Sequence, residues 1–184
     1  MKQDSLGEWR TKSGIFVLAP IRGPMGERIA EVQAEFDPKL ARLGPPHVTL
    51  AGSSGIGPVA ANTTPDELRD RLAPIAERSA PIEIRFGAPT RFMQTEIVVL
   101  PLDPHGPLRA LHEAIKTSGL RAAQPRFFFT PHATLSLYRE QSRDAMRTLL
   151  AMRFDEPATI DTIECYLTRD TGESRQLVAL PLGG

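Results

Sequence analysis

The chain has a single cysteine, Cys165, among its 184 residues. One thiol excludes an internal disulfide and a metal site built from several cysteines. A run of about 18 apolar residues is also missing, so the sequence predicts no transmembrane helix. The first eight residues contain no apolar signal core. The default expectation is therefore a cytoplasmic protein that does not associate with a membrane.

Neither sign of charge predominates, because 22 basic residues balance 22 acidic ones. Avid, non-specific binding to long nucleic acid usually needs a basic surface, so the balance argues against that class of protein. A nucleotide or a short RNA end held in a local pocket is compatible with a neutral chain. With 41% hydrophobic and 24% charged residues, the composition is typical of a globular protein.

One five-residue motif occurs twice. Residues 46–50 are Pro-His-Val-Thr-Leu, and residues 131–135 are Pro-His-Ala-Thr-Leu. The two copies contain half of the four histidines in the chain. A single His-x-Thr triplet would be a weak signal, whereas two full copies of the longer motif indicate a shared function.

The order strand, helix, motif strand, helix, strand also occurs twice. The motif histidine follows a strand-ending proline by 27 positions in the first copy and by 31 in the second. We therefore predict an α+β, bilobal, duplicated fold in which two small, mainly antiparallel sheets line a central cleft and the helices lie outside. Each half is small for a core of its own. We expect residues 1–184 to form one domain of two lobes, with the second repeat beginning near residue 95.

Strand geometry predicts which motif side chains share a face, because successive side chains of a strand point to opposite sides. His47 and Thr49 then face one side, and the apolar residues between and after them face the core. The same alternation places a longer set on one face in the second copy: His132, Thr134, Ser136 and Tyr138.

Two imidazoles across a cleft suit in-line displacement at phosphorus. One neutral imidazole accepts a proton from the attacking water, and the other, protonated, donates one to the leaving oxygen. Histidine can play both parts because its ordinary pKa of about 6.5 lets both forms exist near neutrality. The hydroxyls of Thr49 and Thr134 can donate to the non-bridging phosphate oxygens, where charge develops. This scheme needs neither a metal nor a cofactor, and it leaves open which histidine is the acid.

Two other interpretations of the motif histidines remain. Both could be structural residues of a sheet. Alternatively, His47 and His132 could be zinc ligands, although no third ligand stands at a recognisable spacing.

Both motifs, their spacing and the bilobal repeat resemble the 2H phosphoesterase superfamily, which includes 2′-5′ RNA ligase-like proteins and cyclic nucleotide phosphodiesterases. The resemblance covers nearly the whole chain. His47, Thr49, His132 and Thr134 match the family's catalytic positions. The resemblance implies hydrolysis of 2′,3′-cyclic phosphates, or related cyclic esters, to phosphomonoesters without a cofactor.

Smaller features are similar to the plant-type cyclic phosphodiesterases within that superfamily. They are the apolar strand at residues 16–20, the Arg-Phe-Met-Gln stretch at residues 91–94, and the end of the second motif strand. The subgroup carries a phosphate-contacting tyrosine at this last place. The similarity therefore suggests that Tyr138 binds the substrate.

Three further residues are candidates for substrate binding. Phe92 could stack on a base, as aromatic side chains do with single-stranded RNA. Gln94 could bond a base edge or a phosphate. Ser136 joins the set because strand alternation places it on the face of His132.

The sequence leaves the substrate open between nucleotide or RNA 2′,3′-cyclic phosphates and ADP-ribose 1″,2″-cyclic phosphate. An alternative is a 2′-5′ oligonucleotide phosphodiesterase or RNA ligase-like enzyme. A second alternative is a catalytically inactive module that binds a nucleotide or RNA. In each case the partner is a nucleotide or short RNA end. No stable protein partner is implied, and a monomer is the default expectation.

Overall fold

The structure is a computed structural model that describes residues 13–92, 95–125, 127–169 and 172–183. The described residues form five helices: α1 (Gly23–Phe36), α2 (Pro38–Ala41), α3 (Pro65–Arg78), α4 (Gly106–Lys116) and α5 (Arg143–Ala151). They also form nine strands: β1 (Gly14–Pro20), β2 (His47–Ala51), β3 (Ile82–Ile84), β4 (Thr90–Arg91), β5 (Val98–Pro101), β6 (His132–Ser136), β7 (Ala158–Ile160), β8 (Thr162–Thr168) and β9 (Ser174–Pro181).

Seven strands form one antiparallel sheet in the order β4-β5-β6-β2-β1-β8-β9, and β3 pairs with β7 in a separate small sheet. The α+β prediction is confirmed. The structure adds that the sheets of the two predicted lobes join edge to edge. They join between β2 and β6, where Val48 lies opposite Ala133. The two motif strands are therefore neighbours in the middle of one sheet.

The duplication predicted from the motif is visible in the strand pairing. β1 pairs with β2, and Pro20 lies opposite His47. β5 pairs with β6, and Pro101 lies opposite His132. The register of both pairs shifts three residues before the terminal proline, between Val17 and Leu18 and between Val98 and Val99. The unit of strand, helix and motif strand is thus repeated down to its irregularities.

The helix of each repeat begins in the same way. Gly23 has φ 70° at the start of α1, and Gly106 has φ 71° at the start of α4. This left-handed conformation favours glycine because a Cβ atom would be strained there. A proline follows in the first turn of both helices, where its missing N–H leaves no bond unmade. The Gly-Pro pair therefore sets the direction in which each helix leaves its strand.

The two helices are exchanged between the repeats. α1 packs against β6, the motif strand of the second repeat, and α4 packs against β2, the motif strand of the first. One cluster of buried apolar residues runs through both halves. Each motif strand is therefore supported by the helix of the other repeat. In the described part of the chain, no helix is both long and apolar enough to cross a membrane.

A buried carboxylate ties the end of α1 to the end of β6. Asp37 is fully buried, and its Oδ1 atom accepts the N–H of Leu40, which caps α2. Its Oδ2 atom accepts the N–H groups of Leu137 at 2.7 Å and Tyr138 at 2.6 Å. One side chain thus satisfies three main-chain donors where the chain leaves the second motif strand.

We expect Asp37→Asn to lower the free energy of unfolding by about 1–3 kcal/mol, because an amide group would face main-chain donors that need an acceptor. Urea unfolding followed by circular dichroism measures this loss. Asp70→Asn, at an exposed position of α3, is the matched control and should leave the transition unchanged. Equal transitions for both variants would contradict the role given to Asp37.

Candidate active site

The motif strands place four polar side chains on one face of the sheet. His47, Thr49, His132 and Thr134 are half-buried. The residues that alternate with them, Val48, Leu50, Ala133 and Leu135, are fully buried on the opposite face. Because β2 and β6 are neighbours, the two imidazoles and two hydroxyls form one polar cluster at the centre of the sheet.

A backbone carbonyl holds each motif histidine by the same atom. The Nδ1 atom of His47 lies 2.9 Å from the carbonyl oxygen of Pro45. The Nδ1 atom of His132 lies 2.7 Å from the carbonyl oxygen of Thr130. Because a carbonyl oxygen only accepts, Nδ1 carries a proton and donates in both rings. The Nε2 atom is therefore the one that can take up or release a proton.

The proline of the motif explains why both histidines are held alike. In each copy the accepting carbonyl lies two residues before the histidine, with a proline between them. Each proline carbonyl accepts a hydrogen bond from the residue that follows the first strand of its repeat. Pro46 accepts from the N–H of Ile21 at 2.8 Å, and Pro131 accepts from the N–H of Leu102 at 3.0 Å. Proline also fixes its own φ and favours extended backbone before it. The Pro-His sequence thus orients the imidazole through local backbone geometry.

The environment lowers the pKa of both motif histidines. Burial lowers the pKa of His47, while the hydrogen bond to Pro45 and the charge of Glu164 raise it in part. Burial also lowers the pKa of His132, its hydrogen bond to Thr130 raises it, and the charge of His47 lowers it further. Both rings therefore favour the neutral form more than a free histidine does, and each disfavours a second proton on its neighbour.

The structure places Phe92, one of the predicted substrate-binding residues, against a motif histidine. Its ring centroid lies 4.7 Å from that of His132, with the ring planes tilted by 38°. Phe92 thus forms a wall beside the imidazole, and stacking on a base remains a prediction. Gln94 lies outside the described residues.

Ser136 and Tyr138 differ from the other motif residues. Ser136 is fully buried, and its hydroxyl accepts from the Nε2 amide of Gln141 at 2.7 Å. The structure therefore does not place Ser136 as a substrate contact, because the alternation of β6 ends at Leu135 and Ser136, which are both buried where the pairing with β5 shifts register. Tyr138 lies beyond the end of β6, half-buried, with Nζ of Lys39 4.5 Å from its ring centroid. Its contact with substrate remains a prediction.

A histidine that looks like a flank residue of α4 in the sequence is instead fully buried beside both motifs. The Nδ1 atom of His112 donates to the carbonyl oxygen of Leu50 at 2.8 Å. Its ring stacks on Phe129 with centroids 3.8 Å apart. Leu50 ends the first motif, and Phe129 precedes the second. His112 therefore connects the two motif segments, while its Nε2 atom has no partner among the described residues.

Glu164 is a second residue that the sequence analysis missed. It is buried on β8, bonded to Arg22 and to the hydroxyl of Tyr166. Its charge acts on His47. The available signal was strand phase, because Glu164 alternates with apolar residues that face the core. Among the described residues, no three His, Cys, Asp or Glu side chains are grouped to hold a metal ion.

Comparison with known proteins shows the family of this chain. Residues 22–172 match the model of the 2′-5′ RNA ligase superfamily. The chain belongs to that superfamily. It is 31% identical over 125 residues to GK0864 of Geobacillus kaustophilus, whose name proposes a phosphoesterase activity; the match covers 67% of this chain and 68% of that protein.

Solved structures share the fold of this superfamily member. A crystal structure of a phosphoesterase has a TM-score of 0.61 and 19% identity, covering 94% of this chain and 99% of its own. Escherichia coli LigT complexed with 3′-AMP has a TM-score of 0.56 and 20% identity, again covering 94% and 99%. LigT has also been solved with ATP, at a TM-score of 0.55 and 18% identity, covering 94% and 98%.

Burial of neutral histidines predicts a stability that falls in acid. Burial lowers the pKa of His112, the hydrogen bond to Leu50 raises it in part, and nearby charges act in both directions. The unfolded chain then binds a proton near pH 6.5 while the folded protein resists it. We expect the unfolding free energy to decrease as pH falls below about 6.5, with His112 contributing at most about 1.4 kcal/mol per pH unit.

In His112→Gln this slope should be smaller, which urea titrations at several pH values between 7 and 5 would show. His105→Gln is the matched control, since His105 is exposed at the start of α4. An unchanged slope in His112→Gln would contradict the prediction.

Proposed function

We propose that this protein is a metal-independent cyclic phosphodiesterase that hydrolyses 2′,3′-cyclic phosphates of nucleotides or RNA ends. The observation that carries the proposal is the pair of motif histidines. Both rings are anchored at Nδ1, which leaves Nε2 for proton transfer, and each has a threonine hydroxyl on its own strand and face. Membership of the 2′-5′ RNA ligase superfamily supports chemistry at a phosphodiester.

The same site and the proteins that share its fold support the proposed substrate class. An imidazole pair with two hydroxyl donors suits one phosphoryl group with a leaving oxygen. LigT, which shares the fold, has been solved with 3′-AMP and with ATP. The formal net charge of zero fits a nucleotide or a short RNA end better than a long nucleic acid. ADP-ribose 1″,2″-cyclic phosphate offers the same five-membered phosphate ring and belongs to the same substrate class.

In the proposed reaction, water attacks phosphorus on the side opposite the leaving oxygen. One Nε2 atom accepts a proton from that water as the new P–O bond forms. The other imidazole, protonated, gives its proton to the ribose oxygen as the ring P–O bond breaks. The products are a phosphomonoester and a free hydroxyl, and the enzyme has exchanged one proton between its two histidines. Thr49 and Thr134 donate to the non-bridging oxygens, where negative charge grows.

We expect His47→Ala and His132→Ala each to lower kcat on a 2′,3′-cyclic nucleotide by about 10²–10⁴-fold, the usual contribution of one acid or base. Assays of purified protein in EDTA should give the same rate as assays without it. His105→Ala, at an exposed position, is the control and should retain full activity. Turnover that survives both motif substitutions would refute the proposal.

A substrate panel tests which class of phosphodiester the protein cleaves. It comprises 2′,3′-cyclic nucleotides, ADP-ribose 1″,2″-cyclic phosphate, RNA ending in a cyclic phosphate, and 2′-5′ oligoadenylate. Cleavage of the cyclic compounds is the expected result. Cleavage of only the linear oligonucleotide would support the 2′-5′ phosphodiesterase alternative. Binding of AMP without turnover of any compound would indicate a binding module.

We expect Thr49→Val and Thr134→Val to lower kcat by about 10–10³-fold with a smaller effect on KM, because a hydroxyl that donates to developing charge acts in the transition state. Valine keeps the shape and the strand propensity of threonine. Thr159→Val, on an exposed face of the small sheet, controls for the loss of a strand hydroxyl. Kinetics in which only KM rises would assign these hydroxyls to substrate binding.

A further inference from the structure

The two repeats differ in charge at one equivalent position beside the motif strands. In the first repeat, Leu18 lies opposite Thr49 on one side and opposite Glu164 on the other. In the second repeat, Val99 occupies the place of Leu18, opposite Thr134. On its other side Val99 lies opposite Thr90. The equivalent position of the sheet thus holds a carboxylate in the first repeat and a hydroxyl in the second.

The carboxylate of Glu164 is held in place by two side chains. Its Oε1 atom accepts from Nη2 of Arg22 at 2.6 Å, and its Oε2 atom accepts from the hydroxyl of Tyr166 at 2.8 Å. Glu164 is only 5% exposed, so solvent screens its charge less than it screens surface carboxylates. The group is thus a fixed charge, not a mobile surface residue.

The cluster around Glu164 also contains Arg22, Asp161 and Tyr166. Arg22 also bonds Asp161 through Nη1 at 3.2 Å, so one guanidinium is shared by two carboxylates. Burial, the hydrogen bond to Glu164 and the charge of Glu164 raise the pKa of Tyr166 to about 12, against a smaller lowering by Arg22. The phenol therefore stays neutral and only donates. Asp161 is exposed, so solvent screens its charge more than it screens the charge of buried Glu164.

We propose that Glu164 is a positioning residue for the catalytic proton: its buried charge makes His47 the imidazole that is protonated in the active enzyme and leaves His132 neutral. The proposal rests on the proposed function, because it assigns the two roles in that reaction. His47 then donates to the leaving oxygen, and His132 accepts from water. The duplicated sheet supplies two histidines in equivalent positions, and the difference between Glu164 and Thr90 gives them different electrostatic surroundings.

The charges that act on the two rings agree with this assignment. Glu164 favours the proton on His47, and the charge of His47 disfavours one on His132. The ring of Phe92 lies against His132 and carries no negative charge. An opposite charge stabilises the protonated form, and a like charge destabilises it. Both charges therefore favour a proton on His47 over one on His132.

The test compares Glu164→Gln with the wild type by two independent readouts. Glutamine keeps the size of the side chain and an acceptor oxygen, while it removes the charge. NMR titration of the imidazole carbons follows each ring separately, so the change at His47 can be compared with the change at His132. The second readout is the pH dependence of kcat/KM on a 2′,3′-cyclic nucleotide. Asp161→Asn is the matched control, since it removes the exposed carboxylate of the same cluster and leaves Glu164 in place.

In Glu164→Gln we expect the titration of His47 to move to lower pH by about 0.5 or more, with a smaller change for His132. The high-pH limb of the activity profile should move in the same direction, because that limb reports the acid. Asp161→Asn should move either quantity much less. An unchanged His47 titration, or an equal movement of both rings, would overturn the proposal, and so would movement of the low-pH limb alone.

The two readouts separate this proposal from the proposed function. NMR titration needs no turnover, so the effect of Glu164 on His47 is measured even for a protein without cyclic phosphodiesterase activity. A shifted His47 titration without activity on any cyclic phosphate would refute the function and leave the charge effect standing. Activity with unshifted histidines would refute the role of Glu164 alone.

Discussion

The contact between Val48 and Ala133 joins the two repeats and places their motifs side by side. The rest of the site depends on it. Each repeat supplies one imidazole and one hydroxyl, and the proposed reaction uses both imidazoles. The pairing of β2 with β6 brings the four groups to one face, because the small apolar residues between them turn to the other face and are fully buried there. Core packing on one side of the sheet therefore fixes the positions of the four polar groups on the other side.

The exchanged helices stabilise this junction. From α1, Gln33 donates to the carbonyl oxygen of Thr134 at 2.7 Å. From α4, His112 donates to that of Leu50. A buried main-chain carbonyl costs free energy when it has no donor, so each bond favours the docked position of a helix on the opposite repeat. The two repeats are thus held together by side chains as well as by the sheet.

Burial of the motif histidines affects which protonation states the pair can adopt. Burial disfavours a charge on either ring, which makes the doubly protonated form especially unfavourable. A state with one proton shared between two rings is the one that acid–base hydrolysis needs. The symmetric anchoring of both rings by backbone carbonyls leaves their roles equal. A difference between them must come from residues outside the motif, and the Glu164 cluster is the charged difference that the described structure shows.

Local chemistry made much of this protein predictable from its sequence. The α+β class, the duplication and the shared face of His47 with Thr49 follow from alternation and from the repeated motif, which depend on neighbours within a few residues. The helix starts follow from Gly-Pro pairs for the same reason. The set on the second motif strand was less predictable, since the pairing with β5 shifts register between Thr134 and Ser136, and Ser136 is buried.

Tertiary structure alone decided how distant segments meet. No local pattern shows that the two motif strands share one sheet, that His112 is buried between them, or that Glu164 lies near His47. These contacts join residues tens of positions apart, and hydrophobic burial and strand pairing select them from the whole chain. The sequence by itself determined which polar groups form the candidate site, because their type and local geometry are encoded in the motif. The fold decided which groups surround them, and therefore how the two equivalent histidines come to differ.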